Sequence, residues 1–106
     1  MSVKVELDTL AETLADYTFA YLITVGEDHR THVMAEVPVL RDGVFELASV
    51  GNSTRRNVRA FDTVTLVWPP RRPDGLTLII DGRGEVGDGL RVIPRRAVLH
   101  RAATPQ

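Results

Sequence analysis

The sequence predicts a small, mostly antiparallel β-barrel with two short helices. Three features carry that expectation. Apolar and polar residues alternate with a period of two over most of the chain, polar turns cut those runs into five or six short strands, and only two segments carry helical signals. No internal repeat occurs and no linker is long enough to divide the chain, so a single domain over 1–106 is expected.

Thr9 and Glu12 stand at capping-box spacing and Leu7, Leu10 and Leu14 fall on one face, which predicts a first helix ending near Asp16 or Tyr17. Its apolar stripe is narrow, as in a helix that lids a sheet. From Phe19 the period becomes two: Phe19, Tyr21, Ile23 and Val25 alternate with Ala20, Leu22 and Thr24. Both sets are mostly apolar, which predicts a strand covered on both faces. After the polar turn Gly26-Glu27-Asp28-His29-Arg30, extension resumes from Thr31 to Leu40, with Val33, Ala35, Val37 and Val39 on one side and His32, Met34, Glu36 and Pro38 on the other. Pro38 cannot donate a ladder hydrogen bond, so that end is expected at an edge or a bulge. Arg41-Asp42-Gly43 is a hairpin turn into a third strand, Val44 to Ala48.

Ala48 to Phe61 reads as a strand end, a tight polar turn at Gly51 and Asn52, and a short helix bearing Arg55, Arg56 and Arg59. Ser53 or Thr54 is expected to cap that helix. Its first-turn N–H groups and positive dipole end, together with the arginines, make a cradle for phosphate. The same pattern fits a surface connector with Val58 and Phe61 inward and its arginines solvated. The residues alone leave both readings open.

Thr63 to Trp68 is the next strand, with Val64, Leu66 and Trp68 on one face. The run Pro69 to Gly75 excludes regular structure, because its prolines remove donors and fix the backbone. Leu76, Leu78, Ile80, Gly82, Gly84 and Val86 then alternate with Thr77, Ile79, Asp81, Arg83 and Glu85, the longest clean alternation in the chain. Glycines on the inward side suit a sharp bend or a close neighbour. Gly87-Asp88-Gly89 turns the chain into a last strand, Leu90 to Ile93, which Pro94-Arg95-Arg96 is expected to break; Ala97 to His100 pair briefly and the tail from Ala102 frays.

With 13 basic and 14 acidic residues the chain is close to neutral, which argues against a nucleic-acid binder working through Arg55, Arg56, Arg59, Arg71 and Arg72. There is no cysteine, hence no disulfide framework, thiolate site or cysteine nucleophile. No leader-like or membrane-length apolar run occurs, so a cytoplasmic protein is the expectation. His29-x-x-His32 straddles a turn and lacks a third ligand with suitable spacing, so no metal site is assigned. Ser49 and Ser53 lack a nucleophile-elbow context, Tyr17 and Tyr21 suit core aromatics with satisfied hydroxyls, and no catalytic acid or base is identified. Trp68 suits an interface anchor or a pocket wall. Arg71 and Arg72 suit solvated cations or contacts for an anionic tail.

Taken in order, Phe19 to Val25, His32-Val33-Met34-Ala35, Thr54-x-Arg56-Asn57-Val58-Arg59, Val64 to Trp68 and Ile80-Asp81-Gly82-x-Gly84-Glu85-Val86 resemble the pyridoxamine 5′-phosphate oxidase-like proteins, the flavin-binding split-barrel superfamily. The resemblance implies an antiparallel split β-barrel, a homodimer with two flavin sites at its interface, and FMN-dependent oxidoreductase chemistry. It places the flavin phosphate at Ser49, Ser53, Thr54, Arg55, Arg56 and Asn57. The flavin ring would lie along His32, Val33, Met34 and Ala35, with Trp68 and the Pro-rich loop contributed by the partner. The pyridoxamine 5′-phosphate oxidases proper are longer and end in an Arg/His-bearing segment that Arg95, Arg96, His100 and Arg101 do not reproduce, so vitamin B6 oxidation is not expected. The deazaflavin cofactor, haem, or a cofactor-free dimer acting as a binding or structural module are the alternatives that the resemblance leaves.

Overall fold

In the computed structural model, which describes residues 1–103, the alternating runs form one eight-stranded antiparallel sheet. Residues 104–106, the end of the tail expected to fray, lie outside the described residues. The strands are β1 (Ser2–Val5), β2 (Ala20–Val25), β3 (Thr31–Glu36), β4 (Val39–Arg41), β5 (Val44–Leu47), β6 (Thr63–Trp68), β7 (Leu76–Val86) and β8 (Leu90–Arg101). They lie in the order β3-β2-β6-β7-β8-β5-β4, with β1 added along β8. The path ends at β3 and β4, so the curled sheet is a split β-barrel, accompanied by α1 (Leu10–Leu14) and α2 (Asn52–Ala60).

Register sorts the side chains. Cross-strand partners share a face, so one inner row runs Met34, Leu22, Leu66, Ile80, Ala97, Val5. Of these Leu22, Leu66, Ile80 and Ala97 are at most 1% exposed. Phe45, Leu78, Leu90 and Val92 complete the core, and Val58 closes it from α2. The opposite face carries the row Ala35, Tyr21, Val67, Ile79, Val98. Nothing in the described residues covers its β3 end: Tyr21 is 39% exposed and Val33, beside Ile23 in the next row, 49%. The expectation that β2 is covered on both faces therefore fails within one chain.

The hairpin at Asp42-Gly43 forms as the sequence requires, with both residues at positive φ (51° and 79°), as a type I′ turn demands. The run from Thr31 to Leu40 is interrupted at Val37 and Pro38, where the chain passes from β3 to β4 at the two ends of the sheet. α1 is shorter than expected and follows a 3-10 turn, Leu7–Thr9. Thr9 does not cap it, since its Oγ1 donates instead to the Glu6 carbonyl at 2.9 Å.

Long-range pairing adds a strand at the N-terminal end and corrects the expected break at Pro94. Ser2 to Val5 form β1, antiparallel to the second half of β8. Pro94 does not end the last strand, which runs unbroken for 12 residues. β5 pairs with Leu90 to Val92 and β1 with Ala97 to His100, so Pro94 lies where β8 has only β7 beside it. A register shift opposite Asp81 and Gly82 absorbs the irregularity. Gly82 is needed there, because a Cβ would stand 2.6 Å from the Ile93 carbonyl oxygen.

Tyr17 ties the end of the α1 segment to the sheet, its hydroxyl donating to the Leu76 carbonyl at 2.7 Å. Burial, with the Asp16 carboxylate near it, holds the phenol above its ordinary ionisation range. The folded state therefore keeps the proton longer than the unfolded chain does. The stability from this contact is present below the unfolded value near pH 10 and declines as pH rises through the higher folded value. Tyr17→Phe is expected to cost about 0.5–1.5 kcal/mol in urea unfolding at neutral pH, with the gap to the parent protein narrowing above about pH 10. A gap constant through that range would remove Tyr17 as its source.

Candidate functional site

Helical period decides what α2 can offer. Thr54, Asn57 and Val58, spaced i, i+3 and i+4, form its buried face, at 1%, 8% and 3% exposed. Val58 packs over β7, where a Cβ on Gly84 would approach its Cγ1 at 2.9 Å. Asn57 donates through Nδ2 to Thr24 Oγ1 of β2 at 3.1 Å, a buried side-chain pair that pins the helix to the sheet. Thr54 and Asn57 are thus structural contacts of the helix, whereas the resemblance implies phosphate contacts for both.

Arg55 leaves the opposite flank. Its guanidinium donates to the Gly87 carbonyl at 2.7 Å and also to the Asp88 carbonyl, clasping the β7–β8 turn. Arg56 is exposed; its Nη2 reaches Ser53 Oγ at 3.5 Å, and among the described residues it forms no ion pair. Ser49 is exposed at the end of β5 and Ser53 is half-buried in the first helical turn. The cap residue is Gly51, before the expected Ser53 or Thr54, and among the described residues no side chain bonds to the first-turn N–H groups. An anion at this end meets open backbone donors, Ser53, Arg56 and the positive end of the helix dipole.

The β2–β3 loop closes the other side. Gly26, Glu27 and Asp28 line, with Arg56 and Asn57, a cavity of about 250 Å³. Gly26 allows this approach: a Cβ there would lie 3.0 Å from Asn57 Oδ1. Sequence reasoning missed this loop, whose only signal was a polar turn. Glu27 and Asp28 line the same cavity as Arg56, although the Asp28 carboxylate is engaged by the Arg30 N–H at 3.0 Å, so an anion fits on the Ser53 side of that arginine rather than beneath the loop.

The strand residues divide. His32 pairs across from Thr24 and Met34 across from Leu22, placing both on the α2 side of the sheet. Val33 and Ala35 lie on the outer face with Ile23 and Tyr21. The structure therefore brings His32 and Met34, not Val33 and Ala35, to the face that carries α2. Trp68 belongs to neither group: it is 3% exposed and packs on Phe45 with ring centroids 5.2 Å apart, which makes it a core residue. Phe61, expected inward, is 44% exposed and stacks against His29 at 6.5 Å. Among the described residues no group of three His, Asp or Glu side chains is placed to hold a metal ion.

Comparison with known proteins gives two levels of likeness. The chain is 43% identical to Mb0449c, an uncharacterized protein of Mycobacterium bovis, over 96% of its own length and 84% of the relative's. No protein-family model matches the chain. Among solved structures it resembles a FAD-binding protein of Mesorhizobium loti (TM-score 0.73, 12% identity, covering 97% of this chain and 99% of that one). A candidate pyridoxamine 5′-phosphate oxidase of Listeria innocua superposes at TM-score 0.71 with 12% identity, over 88% and 96% of the two chains. An F420 reductase does so at TM-score 0.60 with 18% identity, over 87% and 93%. The chain covers only 52% of Rv2991, a conserved hypothetical protein of Mycobacterium tuberculosis (76% of this chain, 19% identity, TM-score 0.62). At these identities the structural likenesses establish the fold.

The division of labour on α2 has a measurable signature. Asn57→Ala, which strands the Thr24 hydroxyl in the interior, is expected to destabilise the protein by about 1–3 kcal/mol in denaturant unfolding, and Arg56→Ala to stay within about 0.5 kcal/mol of the parent. Equal costs for the two would contradict the assignment of one to structure and the other to the open surface.

Proposed function

We propose that this chain, which belongs to the same family as the mycobacterial protein Mb0449c and has the split-barrel fold of the pyridoxamine 5′-phosphate oxidase-like proteins, binds a phosphate-bearing flavin as a homodimer and serves as a flavin-dependent oxidoreductase. The observation that carries the reading is the start of α2, where uncapped N–H groups, Ser53 and the unpaired Arg56 converge. This donor set fits a phosphate monoester: backbone N–H groups and a guanidinium both donate to anionic oxygen. FMN is the ligand proposed first and the deazaflavin cofactor second. The FAD-binding and F420-reductase descriptions of structural neighbours support the class. When bound, a flavin supplies the hydride transfer.

This chain's residues contribute placement. Ser53 and Arg56 hold the phosphate, Ser49 stands at the adjoining strand end, and His32 and Met34 present the sheet face beside the helix. Arg55 acts one step back, fixing the β7–β8 turn against α2. The outer row supports the dimer: Tyr21, Val33 and their neighbours form an apolar sheet face of the kind that a second copy covers. A reducing cytoplasmic setting suits a chain without cysteine.

The visible absorption spectrum of the protein titrated with FMN tests the ligand. Arg56→Ala is expected to weaken FMN binding about tenfold or more and to leave riboflavin, which lacks the phosphate, within about twofold. Equal loss for both, or no binding of either, would overturn the phosphate assignment, and no binding would favour the cofactor-free module. For the assembly, Val33→Glu is expected to convert a dimer to a folded monomer in light scattering, because it buries a charge in the proposed interface. A parent protein that is itself monomeric at micromolar concentration would refute the dimer.

A further inference from the structure

The Pro-rich loop and the end of the α1 segment flank an open cavity of about 560 Å³, far from α2. It opens at Leu76, the first residue of β7, whereas α2 packs over Gly84, eight residues on and up to about 27 Å along the strand. The volume lies in the range of small-molecule sites. Its floor is apolar, made by the Tyr17 ring, Pro70, Leu76 and Leu99. Tyr17 is a neutral wall, since its hydroxyl is engaged with the Leu76 carbonyl.

The rim is charged and asymmetric. Arg71 forms no ion pair or side-chain hydrogen bond among the described residues. Arg72 is held only by an exposed contact with Asp74 at 3.7 Å, which a ligand can exchange at little cost. Asp16 stands on the α1 side of the same cavity. The loop carrying the two arginines is already set: the Gly75 N–H donates to the Arg72 carbonyl at 2.9 Å, Arg101 donates to the Asp74 carbonyl at 3.0 Å, and Gly75 admits Pro70 so closely that a Cβ would stand 2.7 Å from it. A preformed apolar floor with Arg71 and the weakly held Arg72 at one edge is complementary to a compact apolar body bearing a single anionic head.

We propose that this cavity is a binding site for a small aromatic or aliphatic monocarboxylate, its apolar part on Tyr17, Pro70, Leu76 and Leu99 and its carboxylate on Arg71 and Arg72. Asp16 on the facing rim discriminates against a second negative charge. The site lies apart from the α2 phosphate site of the same chain, so the phosphate assignment can fail while this one stands.

Naphthoate, naphthalene dicarboxylate and the neutral naphthamide serve as probes in amide NMR titrations of the full chain. Naphthoate is expected to shift the amides of residues 13–17 and 71–76 saturably with one-to-one stoichiometry, and the dicarboxylate to bind several-fold more weakly. In the double variant Arg71→Ala/Arg72→Ala, whose side chains are exposed and outside the core, naphthoate affinity is expected to fall about tenfold while naphthamide affinity stays within twofold. Shifts located elsewhere, no saturation at millimolar naphthoate, or equal loss of both probes in the variant would overturn the proposal.

Discussion

The buried hydrogen bond from Asn57 to Thr24 sets the geometry on which the candidate site depends. A neutral pair of this kind contributes only about 1 kcal/mol net, but leaving either partner unsatisfied in the interior costs more. Its force is therefore selective: it favours the docking of α2 with Asn57 toward β2. With 3.6 residues per turn, that choice turns Thr54 and Val58 inward, sends Arg55 to the β7–β8 turn and leaves Arg56 outside. The free guanidinium beside the helix start is a by-product of how the helix is pinned.

The sheet imposes the second constraint. Because side chains alternate with a period of two, the register that buries Leu22, Leu66 and Ile80 also commits Tyr21, Val67 and Ile79 to the other face. That outer row is mostly apolar and the chain has only two short helices to offer as cover, both engaged elsewhere. One sequence pattern thus builds a complete core on one side and an unfinished one on the other.

Legibility followed the range of the interactions. The Asp42-Gly43 hairpin and the faces of β6 and β7 were readable because turn chemistry and alternation are local. β1 was not, since Ser2 to Val5 become a strand only by pairing with residues almost a whole chain away. Pro94 reads as a breaker until β8 is seen to change neighbours around it. At the site, the residue types were legible and their roles were not. Arg55, Arg56 and Arg59 look alike in sequence, but Arg55 clasps a turn while Arg56 reaches only Ser53 among the described residues. Trp68, read as an interface anchor or a pocket wall, is packed in the core against Phe45 from a different hairpin, a contact no local pattern reports.

Finally, the shared strand β8 dictates when the protein can be finished. Both β5 and β1 lie against it, and it is the last strand among the described residues. During synthesis the residues of β1 have no edge to join until β8, the last of the eight strands in sequence, has been made. Closure therefore waits on contacts of high sequence separation, which places this barrel among slowly folding topologies and leaves its early strands in need of protection while they wait.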